Sequence, residues 1–132
     1  LLSCGRTAGS CVDINTYLVA SLRAAGYQAA YFYGYFFPEE RGGFTDDGHC
    51  WVVTYHDGKY LEWDIAHHMK ARLGPTQPGL NPRPGKRVAV THSMGQRYRG
   101  IGLDCEVKVL GEPMRLQAPN QLAFVTLGAH LI

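Results

Sequence analysis

The sequence predicts an α+β fold in which one helix packs on a mostly antiparallel β-sheet, and three observations predict it. Residues 10–26, SCVDINTYLVASLRAAG, form one capped amphipathic helix. An Asp57-Gly58 pair stands between two runs of aromatic and β-branched residues, the signature of a tight hairpin. Finally, VAVTH (88–92), DCEVKVL (104–110) and LAFVTL (122–127) alternate as strands do, with no second convincing helix between them.

The helix comes first. Ser10 is a good N-cap and Asp13, three residues on, answers it in a capping box at the positive end of the helix dipole. The helix therefore starts at Cys11. Ile14, Leu18, Leu22 and Ala25 recur at helical spacing as its buried stripe, Cys11 begins that stripe, and Gly26 stands where a left-handed cap ends it. A thiol in a first turn feels the free backbone N–H groups and the dipole, which favour the nucleophilic thiolate. The competing reading makes Cys11 one more small buried residue, as free cysteines often are.

Tyr27 to Phe37, YQAAYFYGYFF, reads as a buried aromatic strand in which Gly34 marks a bulge or a close backbone approach. Pro38 to Gly48 is a polar loop. With Asp57-Gly58 as a two-residue turn, His56 faces Lys59, Tyr55 faces Tyr60, Trp51 faces Asp64 and His49 faces Ala66. Alternation puts His49, Trp51, Val53 and Tyr55 on one face with Glu62 and Asp64, and Cys50, Val52, Leu61, Trp63 and Ile65 on an apolar core face. His49 and Asp64 become diagonal neighbours, about 7 to 8 Å apart at Cα, so imidazole and carboxylate can meet. Trp51 shares that face and is the candidate substrate-binding aromatic. Residues 74–85, with four prolines, form an irregular loop.

At 132 residues the chain fits one domain, 1–132, with an ordinary core. No apolar run approaches the roughly 20 residues that span a bilayer, so no membrane partner is expected. Nothing at the N-terminus reads as a signal peptide, and the opening LLSCGRTAGS, without Met, reads as the interior of a longer protein. Four cysteines (Cys4, Cys11, Cys50, Cys105) contain no CxxC pair, which argues against a structural zinc site. With Cys11 free, three remain, an odd number that suits a reducing, cytoplasmic compartment. Seven basic residues, Lys70, Arg72, Arg83, Lys86, Arg87, Arg97 and Arg99, lie between Asp64 and Asp104 with no acid among them. Only Tyr98 interleaves them and no nucleic-acid module accompanies them, so a solvated basic surface is expected rather than a nucleic-acid partner.

Two further signals are weaker. His67-His68 lacks ligand spacing and reads as surface or hydrogen-bonded histidine, so no metal is expected. VAVTHSMGQ resembles a lipase-type nucleophile elbow at Ser93, with Asp104 and His130 following, but the glycine-rich QRYRGIG is a poor helix and Ser93 reads as a turn residue.

A helix-start cysteine, a strand histidine and a carboxylate on the paired strand are what thiolate acyl transfer needs. The blocks GSCVDINTYLVASLRAAGYQAAYFYGY, GHCW and DGKYLEWD resemble, in order and context, the three signature blocks of the transglutaminase-like superfamily. The resemblance runs from Gly9 to about Ala66. It implies a papain-like fold, Cys11 as nucleophile, His49 as base and acid, Asp64 as its orienting partner, and a peptide or protein amide as substrate, without cofactor. Members cross-link glutamine side chains to amines, hydrolyse amide bonds, or bind peptide or protein without catalysis. A second resemblance, of CVDIN and the Cys, His, Asp order, is to arylamine N-acetyltransferases, which implies coenzyme A as acyl donor; Trp51 and the EWD around Asp64 look more like the first pattern.

Overall fold

The computed structural model of the chain describes residues 9–72, 74–75, 83–100, 102–107, 111, 114–118, 121–125 and 127–132. In chain order these form α1 (Cys11–Ala24), β1 (Gln28–Pro38), a short 3-10 turn (Glu39–Arg41), β2 (Phe44–Thr45), β3 (Gly48–His56), β4 (Lys59–Trp63), α2 (Ile65–Ala71), β5 (Gly85–His92), β6 (Gln96–Gly100), β7 (Leu103–Val107), β8 (Met114–Ala118), β9 (Gln121–Phe124) and β10 (Ala129–His130). The principal sheet runs β4-β3-β1-β5 with every pairing antiparallel. Smaller antiparallel ladders join β2 to β10, β6 to β7 and β8 to β9. The arrangement is α+β and mostly antiparallel, as expected.

The first helix begins and ends where its caps dictate. Ser10 donates to Asp13 Oδ2 from its backbone N–H at 3.0 Å and from its hydroxyl at 2.8 Å. At the far end Gly26 takes φ 86°, Tyr27 N–H reaches Leu22 O at 2.9 Å and Gly26 N–H reaches Arg23 O at 3.0 Å, a Schellman motif. The buried stripe, however, is rotated from the expected one. Asn15 and Val19 are its buried members, Cys11, Val12, Leu18 and Leu22 pack partly against the core, and Ala25 is exposed. Apolar spacing alone misplaced the phase because a polar residue, Asn15, occupies a core position. Its Nδ2 is satisfied by donating to the Cys50 carbonyl at 2.9 Å.

Strand β1 is the centre of the sheet and both expectations for Gly34 hold. The β1–β5 register shifts between Tyr33 and Gly34, and a Cβ at Gly34 would lie 2.0 Å from the Val88 carbonyl oxygen. Pairs Tyr31–Val52 and Tyr33–Cys50 present one face to α1, while Phe32–Trp51 and Gly34–His49 occupy the other.

The hairpin has the predicted turn, with Asp57 at φ 48° and Gly58 at φ 77°, and the predicted pairs from His56–Lys59 out to Val52–Trp63. There the ladder stops. Asp64 caps a second helix, α2, which the sequence reading did not include; its Oδ1 accepts from His67 N–H at 3.2 Å and turns the chain out of the strand. The expected pairing of Trp51 with Asp64 and His49 with Ala66 therefore gives way to a helix cap. Leu61, placed in the core by alternation, is 36 % exposed because it lies on the outermost strand. Residues 76–82 of the proline-rich loop, 108–110 of DCEVKVL, and Cys4 fall outside the described residues. Among the described residues no helix is long and apolar enough to cross a membrane.

Candidate active site

Cys11 is the first residue of α1, where the backbone N–H groups of the opening turn have no intrahelical acceptor. It packs against the cluster that contains the fully buried Cys50. One turn along the same helix face, Asn15 Nδ2 binds the Cys50 carbonyl and lies 3.5 Å from its sulfur. The register Gly34–His49 sets His49 early in β3, opposite a residue without a side chain.

His49 Nε2 meets Asp64 Oδ2 at 2.6 Å, with both side chains almost wholly buried. That engagement leaves Nδ1 for the thiol. The same carboxylate oxygen accepts from Arg87 Nη2 at 2.6 Å and lies 3.0 Å from His67 Nδ1. The Arg87 side chain is 6 % exposed, so it is no part of a solvated basic surface; β5 carries it inward over the Phe36 ring, 5.2 Å from the centroid. The other basic residues of that segment are partly neutralised in space: Arg83 pairs with Glu40, Arg97 binds Asp104 through two bonds of 2.8 and 2.9 Å, and Arg99 lies 3.6 Å from Asp104.

The electrostatics follow from these contacts. The Cys11 thiol is lowered to about 4, chiefly by the hydrogen bond from the Cys50 thiol; partial burial opposes this, and the hydrogen bond and charge of His49 add to it. His49 is raised to about 9: burial works against its charge, but Asp64 and the Cys11 sulfur outweigh it. Asp64, despite burial, is held well below the carboxylate range by His49, His67 and Arg87. Cys50 is pushed far up by the adjacent Cys11 sulfur and by burial, so it stays protonated and donates. Near neutral pH the pair is thus thiolate and imidazolium.

The sequence-predicted residues Cys11, His49 and Asp64 are brought together, although Asp64 arrives from a helix cap instead of a strand. Trp51 does share the His49 face, but it is only 1 % exposed. Its ring runs near-parallel to the imidazole, with centroids 6.4 Å apart, and to Phe32 at 6.2 Å. It braces His49 and is not an open wall for substrate. Sequence reasoning missed Asn15, His67 and Arg87. His67 was detectable as the third residue after a capping Asp. Arg87 carried no local signal.

His67 and His68, expected at the surface or hydrogen-bonded, are both buried on α2. His68 Nε2 bonds the Gly74 carbonyl at 2.6 Å, and His67 stacks on His49 with centroids 4.4 Å apart. The ligand atoms of His49, Asp64 and His67 lie within 4.8 Å of one another, the spacing of a cation site. However, the shared carboxylate is already neutralised by Arg87 and the raised His49 holds a proton where a metal would need a lone pair. Ser93, at φ 112°, is a turn residue followed by a strand, so the nucleophile-elbow geometry is absent there.

The family model of the transglutaminase-like superfamily matches residues 1–65, the span that carries Cys11, His49 and Asp64. No curated protein and no solved structure matches the chain.

Proposed function

We propose, from the match of residues 1–65 to the family model of the transglutaminase-like superfamily, that this chain is a cysteine-dependent enzyme of papain-like type that transfers or hydrolyses the acyl group of a peptide or protein amide. The single observation that carries this reading is the buried 2.6 Å contact of His49 with Asp64 beside a cysteine at a helix start. Cys11 sulfur attacks the amide carbonyl carbon, and the resulting oxyanion is held by backbone N–H groups of the first helical turn. His49 gives its proton to the leaving amine as the C–N bond breaks, leaving a thioester on Cys11. Water or a second amine then attacks, His49 takes the incoming proton, and the thiolate returns. Asp64 fixes the imidazole orientation and stabilises its charge.

The test is turnover on amide substrates, following both ammonia or peptide release and incorporation of a primary amine, in the wild type and Cys11→Ala. The variant should fold normally and fall to the uncatalysed rate. If Cys11→Ala keeps the activity, Cys11 is not the nucleophile.

A further inference from the structure

In the mechanism above the Cys50 thiol only donates a hydrogen bond to Cys11 and takes no part in any bond made or broken. Cys50 is 0 % exposed, is unpaired, and belongs to the core cluster against which Cys11 packs. Asn15 ties it to α1 through its carbonyl, one helical turn from Cys11, where side chains four apart lie about 5–6 Å from each other at Cβ. Cys11 is the more exposed of the two, so an oxidant from solvent meets it first.

We propose that Cys50 is the resolving thiol of Cys11, so that a peroxide-class oxidant closes a Cys11–Cys50 disulfide which reversibly blocks the site. In the first step the Cys11 thiolate attacks a peroxide oxygen: an S–O bond forms, the O–O bond breaks, the leaving oxygen takes the His49 proton and departs as water or an alcohol, and the sulfur becomes a sulfenic acid. In the second the Cys50 sulfur attacks the Cys11 sulfur: the S–S bond forms, the S–O bond breaks, and the Cys50 proton leaves with the hydroxide as water. The low-lying Cys11 thiolate supports the first step. The buried, protonated Cys50 is spared direct oxidation and reacts only with its neighbour. The inference rests on Cys11 being an activated thiolate, and it adds a regulatory modification to that site.

The experiment treats the reduced full chain with a few equivalents of hydrogen peroxide, blocks free thiols, and digests with trypsin without reductant. The expected product joins residues 7–23, holding Cys11, to residues 42–59, holding Cys50. Iodoacetamide labelling of Cys11 should vanish and return after dithiothreitol. In Cys50→Ala the linked peptide should be absent and Cys11 should gain two oxygens, with labelling no longer recoverable. Wild-type Cys11 that ends as a sulfinic acid, links to Cys4 or Cys105, or stays unoxidised overturns the proposal, whatever the variant does. The linked peptide is read independently of turnover. Its formation without amide turnover sinks the acyl-transfer reading alone, and turnover without the linked peptide sinks this one alone.

Discussion

At the residue scale the site is a proton balance. Cys11 is lowered to about 4 and His49 raised to about 9, so the thiolate–imidazolium pair spans the interval between them. Below about 4 the sulfur takes a proton and loses nucleophilicity; above about 9 the imidazole loses the proton the leaving group needs. The pH profile of kcat/KM should therefore be bell-shaped with a plateau from roughly 5 to 8. Iodoacetamide alkylation of Cys11 should reach half its limiting rate near pH 4, far below the unperturbed thiol value of about 8.5, and His49→Ala should move that point upward. An alkylation profile like that of an ordinary thiol would remove the basis for the proposed chemistry. Cys11 and His49 were legible in the sequence because their placement depends on local rules, a helix cap and a hairpin turn. Asn15 was not, because burial of an amide is decided by the strand opposite it, here the Cys50 carbonyl.

At the element scale the site depends on β5, which follows a proline-rich stretch and whose register no local rule fixes. Strand β5 brings Arg87 to Asp64, and its pairing with β1 depends on Gly34. Arg87→Met leaves a buried carboxylate short of one of its charged partners; unfolding in urea should show a loss of about 3–5 kcal/mol. Arg87→Lys should recover only part, since an ammonium on a flexible stem cannot reproduce the guanidinium's fixed geometry. A second change probes the same element from the other side. Gly34→Ala would drive a methyl group against the Val88 carbonyl, a backbone atom that cannot rotate away. The cost should lie at the upper end of the about 1–3 kcal/mol usual for overpacking, with a fall in turnover as Arg87 is displaced. If Gly34→Ala costs nothing in urea, the close β1–β5 approach is not what seats Arg87. Helix α2 was within reach of sequence reasoning, since DIAHHMKA offers a capping Asp, helix-forming residues and a basic last turn. Extending the hairpin register through Asp64 concealed it.

At the scale of the whole molecule the charge asymmetry seen along the chain is largely undone by folding. Glu40 and Asp64, far from Arg83 and Arg87 in sequence, and Asp104, across the β6–β7 hairpin from Arg97 and Arg99, meet four of the seven basic residues of the acid-free segment. Linear charge patterns cannot reveal such pairings, which is why that segment read as solvated surface. One of those acids also links the site to global stability. Asp64 has a folded pKa below its ordinary value, so its contribution is complete above pH about 4 and is lost as pH falls through the folded value. His49 has a folded pKa raised from 6.5 to about 9, so the stabilisation it draws from Asp64 is complete below 6.5 and is lost as pH rises through 9. Urea unfolding of wild type and Asp64→Asn across pH 3–10 should thus give a stability difference shaped as a dome. It should peak between about pH 4 and 6.5 near 3–5 kcal/mol, the range for breaking a buried ion pair, and shrink toward both ends. Turnover of the variant should fall about 10²–10⁴-fold through the wrong imidazole tautomer. A difference that stays flat with pH would mean that Asp64 acts through hydrogen bonds an amide also makes, and that no charge on His49 depends on it.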